Sequence, residues 1–366
     1  MRVLAARFTA VALLALLAGC VSDRPGTIAP EPPAAPSITG SPPTVPKLSG
    51  RETIVRNLRI PWGIAFLPDG TALVTERATH RIMRIGTDMS VREVGRIEEV
   101  TGSGEGGLLG IAVSPDYATD KLIFLYYTTR EDNRIATWKF GERPKPIVTG
   151  IPAGGIHNGG RLAFGPDGYL YATTGESGEP PLGQQLRSLG GKILRMTKEG
   201  KPAPGNPFAE APLVWSYGHR NVQGIAWDSG GHLWASEFGQ STWDEVNRIE
   251  PGKNYGWPEV EGAAGDKRFV DPLLAWHPRD ASCSGIAIAG EVLVDACLRG
   301  QKVWLIPIDG KAGTVRGKAV AALEDLGRLR VAVLAPDGSI WVANNGTDDR
   351  GPQTDDDDRI IRVKIG

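Results

Sequence analysis

Two segments of the chain place polar side chains that can do chemistry beside glycines, directly before runs typical of β-strands. The first reads IHNGGRL over Ile156–Leu162, and the second reads YGHRNVQG over Tyr217–Gly224. Catalytic groups concentrate on loops that a rigid sheet holds in place. The imidazole of His157 and the side chains of Arg220 and Asn221 are therefore the first candidates for a reactive site.

Three further polar residues lie in settings that suit contact with a ligand. Glu105 stands in the glycine-rich segment Gly104–Gly110, where the backbone can approach a ligand closely. Arg328 and Arg330 flank Leu329, and alternation in an extended segment points both to one face. Two guanidiniums on one face favour a ligand with carboxylates or phosphates, which they can grip in a bidentate manner.

A strand–turn–strand unit recurs along the chain and indicates the elements that position these residues. In its clearest form a Pro-Asp-Gly turn joins two runs of apolar and aromatic residues. Proline presets φ, aspartate bonds its own backbone, and glycine adopts the positive φ that returns the chain to a strand. Clear copies are Phe66–Thr75, Phe164–Thr173 and Leu334–Ala343, and looser copies are Val113–Tyr127, Trp227–Ser236 and a hairpin around Gly290.

The spacing of these turns predicts the architecture. Their centres fall near positions 69, 116, 167, 230, 290 and 337, and intervals of roughly 50 to 60 residues suit four-stranded propeller blades. No long 3.6-residue periodicity appears, so few helices are expected. The pattern predicts an all-β fold, a six-bladed β-propeller with four-stranded antiparallel blades around a central channel. The candidate residues then meet at the mouth of that channel.

The first twenty residues have the features of an export signal. Arg2 and Arg7 precede the apolar run Phe8–Ala18, which is too short to span a bilayer. The run leads into Leu-Ala-Gly-Cys, which resembles a bacterial lipoprotein cleavage box with Cys20 as the lipidated N-terminus. Plain secretion with an incidental cysteine is the alternative. We expect residues 1–20 to be a signal peptide and the protein to be an exported cell-envelope lipoprotein.

Composition divides the remainder of the chain. Residues 21–49 are rich in Pro, Ala, Ser, Thr and Gly and predict a disordered tether, whereas residues 50–366 form the propeller domain. The net charge of −1, without a basic patch, excludes nucleic acid from the expected partners. The acidic run Asp355–Asp358 is interpreted as a solvated loop, with a metal site as the alternative.

Cys283 and Cys297 are the two cysteines that follow Cys20. They lie at equal distances from Gly290, so a hairpin centred there places them opposite each other. Directly opposed residues of an antiparallel pair can form a disulfide, and an exported location lets the bond persist. A disulfide is the prediction, and two buried free thiols are the alternative.

The motifs of this chain resemble those of a known family, the soluble sugar dehydrogenases that depend on pyrroloquinoline quinone (PQQ). This family includes the glucose/sorbosone and aldose sugar dehydrogenases, and its fold is a six-bladed propeller. The resemblance covers roughly residues 53–365. The matching segments are Thr75–Arg77, Gly107–Gly110, His157 with Gly160–Leu162, Gly191–Arg195, Gly218–Asn221, Asp244–Asn247, Asn254–Pro258 and Pro336–Gly338.

The resemblance implies a role for each candidate residue. His157 is implied as the general base that takes the proton of a sugar's anomeric hydroxyl, and Arg220 as the group that neutralises charge on the quinone oxygen. Residues implied to contact the cofactor are Arg220, Asn221, Arg328, Arg330 and Glu105. The implied substrate is an aldose, which is oxidised to a lactone, and the electrons pass to an external acceptor.

The resemblance also implies two calcium ions. The first polarises the quinone and is bound by carbonyls near Gly239 and Gln240. The second is structural and uses Glu245 and the backbone near Tyr255. Calcium prefers oxygen ligands of these kinds.

Three positions and one loop depart from the family pattern. Glu105 replaces a glutamine that contacts the sugar, and Ile156 replaces an aspartate that orients the base. We therefore expect His157 to be a weaker base. Leu298 replaces a lysine that binds the cofactor, with Arg299 as a possible substitute, and the loop after Trp257 is altered in a way that weakens the second calcium site.

Two other functions fit parts of the sequence. A non-catalytic extracellular binding propeller is favoured by the changes at Ile156 and Leu298, but it does not need His157 together with so many arginines. A metal-dependent lactone hydrolase needs several carboxylates around an axial metal, whereas the axial candidates here are mostly cationic. His219 is interpreted as a structural turn residue.

Overall fold

The structure is a computed structural model that describes residues 45–351 and 353–366. The predicted signal peptide, with Cys20, and residues 21–44 of the predicted tether lie outside the described residues. The first strand, β1 (Leu48–Val55), begins before residue 50, so the predicted domain boundary falls inside a strand. Within the described ranges, no helix is long and apolar enough to cross a membrane.

Six antiparallel sheets form a ring, which confirms the predicted six-bladed β-propeller. Blade 1 contains β2 (Pro61–Phe66), β3 (Ala72–Glu76), β4 (Arg81–Ile85) and β5 (Val91–Arg96). Blade 2 contains β6 (Leu108–Val113), β7 (Ile123–Thr128), β8 (Asn133–Trp138) and β9 (Lys145–Ile151). Blade 3 contains β10 (Leu162–Phe164), β11 (Leu170–Thr173), β12 (Lys192–Met196) and β13 (Val214–Tyr217).

The second half of the chain repeats this plan with one variation. Blade 4 contains β14 (Val222–Trp227), β15 (Leu233–Glu237), β16 (Asp244–Ile249) and β17 (Leu274–Trp276). Blade 5 contains β18 (Cys283–Ala289), β19 (Val292–Cys297), β20 (Lys302–Asp309) and two short outer strands, β21 (Thr314–Val315) and β22 (Val320–Ala322). Blade 6 contains β23 (Leu329–Leu334), β24 (Ile340–Asn344), β25 (Ile360–Ile365) and β1. The described helices are α1 (Tyr117–Asp120) and a 3-10 turn (Pro180–Gly183).

The predicted turns join the first and second strands of the blades. In the first, Oδ1 of Asp69 accepts the N–H of Thr71 at 3.0 Å, and Gly70 has a φ of 81°. Asp337 accepts the N–H of Ser339 at 3.0 Å in the same way. Local chemistry therefore forms these hairpins as the sequence predicts.

The first strand of each blade lies against the axis. β2, β6, β10, β14, β18 and β23 pack against one another in turn, and β23 packs against β2. The carboxyl-terminal halves of these strands line one cavity of about 270 Å³. Their amino-terminal ends therefore meet at the opposite mouth of the channel.

An arginine crosses the axis between the cavity and that mouth. Nε of Arg161 donates to the carbonyl of Gln223 at 2.8 Å, and its Nη1 donates to the carbonyl of Trp62 at 3.1 Å. Its guanidinium also lies 4.2 Å from the centre of the Trp62 ring. Blade 3 is thus tied to blades 1 and 4 at the centre of the ring.

Apolar clusters fill the spaces between neighbouring blades. Each of the six interfaces in the described ring has a cluster that draws side chains from both blades. The tryptophans of these clusters include Trp215 and Trp227 between blades 3 and 4, Trp234 between blades 4 and 5, and Trp341 between blades 6 and 1. The hydrophobic core is therefore divided among the interfaces between blades, where apolar side chains are buried between neighbouring sheets.

The N-terminal strand closes the ring. β1 pairs with β25, so the first strand in the sequence forms the outer edge of the last blade. Thr53 lies opposite Ile361, and Ile54 and Val55 are buried. The two ends of the described domain are therefore joined in one sheet.

The acidic run Asp355–Asp358 is only partly the solvated loop that the sequence predicts. Asp355 and Asp356 are exposed, but Asp357 and Asp358 are buried. The carboxylate of Asp358 accepts the N–H groups of Ile60, at 2.8 Å, and Thr347, at 3.1 Å. Burial is tolerated because these backbone donors satisfy the carboxylate, and the contact joins blades 6 and 1.

The two cysteines pair as predicted. Cys283 lies opposite Cys297 in the register of β18 and β19, and their sulfurs are bonded. Gly290, at the turn between the strands, has a φ of 57°. The alternative of two free thiols is excluded.

Candidate active site

The candidate residues lie at the starts of the innermost strands, in loops that meet at one mouth of the channel. Glu105 precedes β6, His157 precedes β10, Arg220 and Asn221 precede β14, and Arg328 precedes β23. Residues from four blades therefore share this mouth. The predicted convergence of distant segments is present.

His157 is held at its ring and at both ends of its backbone. Its Nδ1 contacts Oε1 of Glu176, its N–H donates to Oε2 of Glu105 at 3.0 Å, and its carbonyl accepts the N–H of Ser177 at 3.0 Å. A Cβ at Gly175 would lie 1.8 Å from that carbonyl oxygen, so glycine is required there. The imidazole of His157 remains 12% exposed.

Glu176 is an orienting carboxylate that the sequence interpretation missed. Ile156, which replaces the orienting aspartate of the family, is exposed, whereas Glu176 reaches Nδ1 of His157 from the loop after β11. The premise that His157 lacks such a partner is therefore wrong. A carboxylate that accepts the Nδ1 proton leaves Nε2 as the acceptor nitrogen, which is the state that a general base requires.

Arg220 and Asn221 pack against the loop that holds the imidazole. The N–H of Glu176 donates to the carbonyl of Arg220 at 2.9 Å, and the N–H of Gly159 donates to Oδ1 of Asn221 at 3.0 Å. Nη1 of Arg220 donates to the carbonyl of Phe238 at 3.2 Å. Burial lowers the pKa of Arg220, while the nearby Glu176 carboxylate acts in the opposite direction. A base and a cation thus lie side by side.

Glu105 links the base to the rim of the mouth. One carboxylate oxygen accepts the N–H of His157, and the other accepts Nη1 of Arg350 at 3.1 Å. Burial alone would raise the pKa of Glu105, but these two donors outweigh it and hold the pKa below its usual value. Glu105 is therefore an ionised acceptor beside the imidazole.

Arg328 and Arg330 are both buried on the same side of the mouth. Nη2 of Arg328 lies 3.4 Å from Oδ2 of Asp348, and Nε of Arg330 donates to Oδ1 of Asn345 at 2.9 Å. Burial, followed by the positive charge of Arg77, lowers the pKa of Arg330 to about 9. A solvent-facing position for these arginines is excluded.

The mouth carries more cationic and donor groups than acceptors. Several buried donors have no partner within the described residues. They are Nη1 of Arg77, Nε of Arg220, Nδ2 of Asn221, Nε of Arg328 and Nδ2 of Asn345. Because an unpaired buried donor is costly, such a set fits a ligand rich in anionic oxygens. PQQ, a tricarboxylate with two quinone oxygens, has that chemistry.

The loop predicted to hold the first calcium offers free carbonyls. Within the described residues, the carbonyl oxygens of Gly239 and Gln240 accept no hydrogen bond. Gly239 is constrained, since a Cβ there would lie 1.7 Å from the carbonyl oxygen of Trp243. Two free backbone oxygens fit the ligand preference of calcium.

The carboxylate predicted to bind the second calcium, that of Glu245, already accepts hydrogen bonds from protein N–H groups. Glu245 is half-buried, and its carboxylate accepts the N–H of Gly262 at 2.7 Å and Nδ2 of Asn247 at 3.0 Å. The backbone carbonyl of Tyr255, the group that calcium would bind, accepts no hydrogen bond within the described residues. No cluster of three His, Cys, Asp or Glu side chains suited to a metal occurs in the described ranges. The second calcium site stays a prediction.

Three further residues have clear positions. His219 is fully buried between Oγ of Ser216 and Oε2 of Glu237, which agrees with its predicted structural role. Leu298 is buried, and the adjacent Arg299 is exposed beside the loop that contains Gln240.

The structure adds site residues that the sequence interpretation did not select. Arg77 and Asn345 contribute donors, and Gln223 accepts Nη1 of Arg330 at 3.0 Å. Glu176 and Arg77 both follow the second strand of a blade, which is the one signal common to them. That position alone does not distinguish Glu176 and Arg77 from other loop residues as site candidates. The distinction requires the arrangement of the blades.

Comparisons with known proteins agree with this site. A family described as glucose/sorbosone dehydrogenase matches residues 58–352. The PQQ-bound aldose sugar dehydrogenase of Streptomyces coelicolor superposes with a TM-score of 0.85 at 48% identity, covering 89% of this chain and all of that one. The chain belongs to the glucose/sorbosone dehydrogenase family, and the predicted membership among PQQ-dependent sugar dehydrogenases is confirmed.

Two characterised relatives support the same class of enzyme. The aldose sugar dehydrogenase of Escherichia coli K12 is 31% identical over 335 residues, which are 80% of this chain and 88% of the relative. The quinoprotein glucose dehydrogenase B of Acinetobacter calcoaceticus is 30% identical over 260 residues, which are 60% of this chain and 54% of the relative.

Proposed function

We propose that this protein oxidises the anomeric carbon of aldose sugars to lactones with bound PQQ and calcium, and passes the electrons to an external acceptor. The observation that carries the proposal is the contact between His157 and Glu176, set beside buried donors that have no acceptor among the described residues. A base and an anion-binding surface at one mouth suit proton removal next to a quinone. Aldose sugar dehydrogenase and quinoprotein relatives support the substrate class and the cofactor.

His157 performs the proton transfer. Its Nε2 takes the proton of the anomeric hydroxyl, because the contact of Nδ1 with Glu176 leaves Nε2 as the acceptor nitrogen. Glu176 accepts a hydrogen bond from Nδ1–H of His157 and stabilises the imidazolium that forms when Nε2 takes up the proton. Glu105 holds the backbone of His157 and presents an acceptor to the sugar.

The arginines and asparagine bind the cofactor. Arg220, Asn221, Arg328 and Arg330 supply donors to its carboxylates and quinone oxygens, and Arg77 joins them. The carbonyls of Gly239 and Gln240 hold calcium. When bound, PQQ would supply a two-electron acceptor beside the anomeric carbon, and calcium would increase its electrophilicity.

The experiment uses the purified propeller, residues 45–366, prepared without cofactor. PQQ and calcium are added, and reduction of an artificial dye is followed with a panel of aldoses. We expect dye reduction that requires both PQQ and a sugar and that is lost in His157→Ala. PQQ binding without turnover on any sugar would favour a binding propeller, and lactone cleavage with calcium alone would favour a hydrolase.

We also propose that Cys20 carries a lipid that anchors the exported enzyme to the membrane. Support comes from the Leu-Ala-Gly-Cys motif after an apolar run. Full-length protein should sediment with membranes of a bacterial host, and Cys20→Ala should appear in the soluble fraction. Membrane association of the variant equal to that of the wild type contradicts the anchor.

A further inference from the structure

A carboxylate lies beneath the loop 239–243, which carries the free carbonyls. Oε1 of Glu261 accepts four consecutive backbone N–H groups of this loop. The donors are Gln240 at 2.8 Å, Ser241 at 3.1 Å, Thr242 at 3.0 Å and Trp243 at 3.0 Å. Hydrogen bonds to a charged acceptor are stronger than neutral ones, so this carboxylate has a large influence on the shape of the loop.

The direction of the carbonyls follows from these hydrogen bonds. In a planar trans peptide the N–H and the preceding C=O point in opposite directions. The N–H of Gln240 shares a peptide with the carbonyl of Gly239, and the N–H of Ser241 shares one with the carbonyl of Gln240. Because both N–H groups point to Glu261, both carbonyls point away from it.

The preceding peptide ties the same loop to the candidate active site. The carbonyl of Phe238 accepts Nη1 of Arg220 at 3.2 Å, and the N–H of Gly239 donates to Oδ1 of Asp244 at 2.8 Å. A Cβ at Gly239 would lie 2.6 Å from Oε1 of Glu261, so the close approach of the carboxylate depends on glycine. Glu261 also adds negative charge near Arg220.

We propose that Glu261 is a positioning residue for calcium. Its carboxylate accepts the N–H groups of the loop 239–243 and thereby orients the carbonyls of Gly239 and Gln240 toward the ion. The carboxylate itself does not bind the ion. This inference rests on the proposed function, because it takes the calcium of that function to be held by these two carbonyls. Some groups hydrogen-bond to metal ligands without binding the metal. Their removal typically weakens metal affinity by about 10–100-fold.

The experiment measures calcium affinity without turnover. PQQ binding to the propeller is followed by quenching of tryptophan fluorescence at increasing calcium, and the half-saturating calcium concentration is recorded. Glu261→Gln keeps one acceptor oxygen but loses the charge, and we expect this concentration to rise about tenfold. Glu261→Ala loses the acceptor, and we expect a larger rise.

Glu259→Gln is the matched control, since Glu259 lies two residues away and pairs with Arg268 at the surface. It should bind calcium as the wild type does. Thermal melting confirms that each variant is folded, and Glu261→Gln alone suffices for the test if Glu261→Ala does not fold. Equal half-saturating calcium in Glu261→Gln and wild type overturns the role of Glu261 and leaves the proposed function intact. Wild-type PQQ binding that does not respond to calcium removes calcium from the proposed function and overturns the inference with it.

Discussion

His157 has its reactive nitrogen free because the rest of the residue is held by its surroundings. Glu176 occupies Nδ1, Glu105 occupies the N–H, and the backbone of Ser177 occupies the carbonyl. Each contact removes a conformation in which the ring turns away from the mouth. At the residue scale, the orientation of the imidazole therefore depends on the carboxylates of Glu176 and Glu105 and on one backbone N–H.

Replacing Glu176 tests this dependence. Glu176→Gln keeps the size of the side chain but removes the charge that stabilises the protonated imidazole, so we expect turnover to fall by about a hundredfold. PQQ affinity should remain unchanged because Glu176 is not among the proposed cofactor ligands. Steady-state kinetics with an aldose and a dye measure the turnover, and quenching of tryptophan fluorescence measures the PQQ affinity.

Glu179→Gln is the control for that variant, since Glu179 is exposed in the same loop. It should retain wild-type turnover. A Glu176→Gln enzyme with wild-type turnover would show that the contact to Nδ1 has no part in catalysis.

Restoring the family's aspartate gives a second residue-scale prediction. Ile156 is 45% exposed, and Nδ1 of His157 is already engaged by Glu176. We therefore expect Ile156→Asp to change kcat/KM by less than about threefold, which is under 1 kcal/mol. A gain of tenfold or more would mean that Glu176 orients the base poorly. Kinetics on the purified variant decide between these outcomes.

At the scale of elements, each blade begins with a strand that delivers a polar loop to the axis. The first two strands of a blade form a hairpin, whose turn lies at the end remote from the candidate site. The hairpin thus fixes the inner strand, and the loop before that strand carries most of the candidate residues, whereas Arg77 and Glu176 follow the second strand. This division allows the loops to vary without loss of the sheet.

The disulfide of blade 5 stabilises one such hairpin. It closes a segment with a sequence separation of 14 residues, and a loop of that length contributes about 3 kcal/mol through the unfolded state. We expect Cys283→Ala with Cys297→Ala to lower the free energy of unfolding by about this amount. Urea denaturation measures it.

Reductant provides the internal comparison for the double variant. The wild type should lose stability when the disulfide is reduced, whereas the double variant should be insensitive to reductant. Equal stability of the oxidised wild type and the double variant would contradict a stabilising role for the bond.

At the scale of the whole molecule, closure of the ring depends on residues from opposite ends of the domain. β1 completes blade 6, and Asp358 bonds the backbone of Ile60 at the junction with blade 1. The polar network on the axis adds a second connection, since Gln223 accepts both Arg330 and Ser284 from other blades. The mouth keeps its geometry because the ring cannot open without breaking these contacts.

Removing β1 tests this closure. A chain that begins at residue 57 lacks β1, and a chain that begins at residue 45 retains it. Loss of the burial of Ile54 and Val55 alone is expected to reduce the free energy of unfolding by about 4 kcal/mol. Urea denaturation of the two chains measures the difference. Similar stability would mean that blade 6 does not need its outer strand.

The positions of the hairpins were predictable because turn chemistry is local. Asp69 and Asp337 bond residues only two positions away, and Gly70 supplies the positive φ. Their repetition predicts the number of blades, and the equal spacing of Cys283 and Cys297 about Gly290 predicts the disulfide. These hairpins and the disulfide could be predicted without knowing which distant residues they contact.

The sequence by itself therefore determined the propeller, its hairpins and the polar residues at the loop ends. Only the tertiary structure decided that Glu176 meets His157, that Asp357 and Asp358 are buried, and that Glu261 accepts four backbone N–H groups of the loop 239–243. These contacts join segments that are not neighbours in any local pattern. Their formation depends on how far each blade is rotated against the next, which is set by packing between sheets across the whole ring.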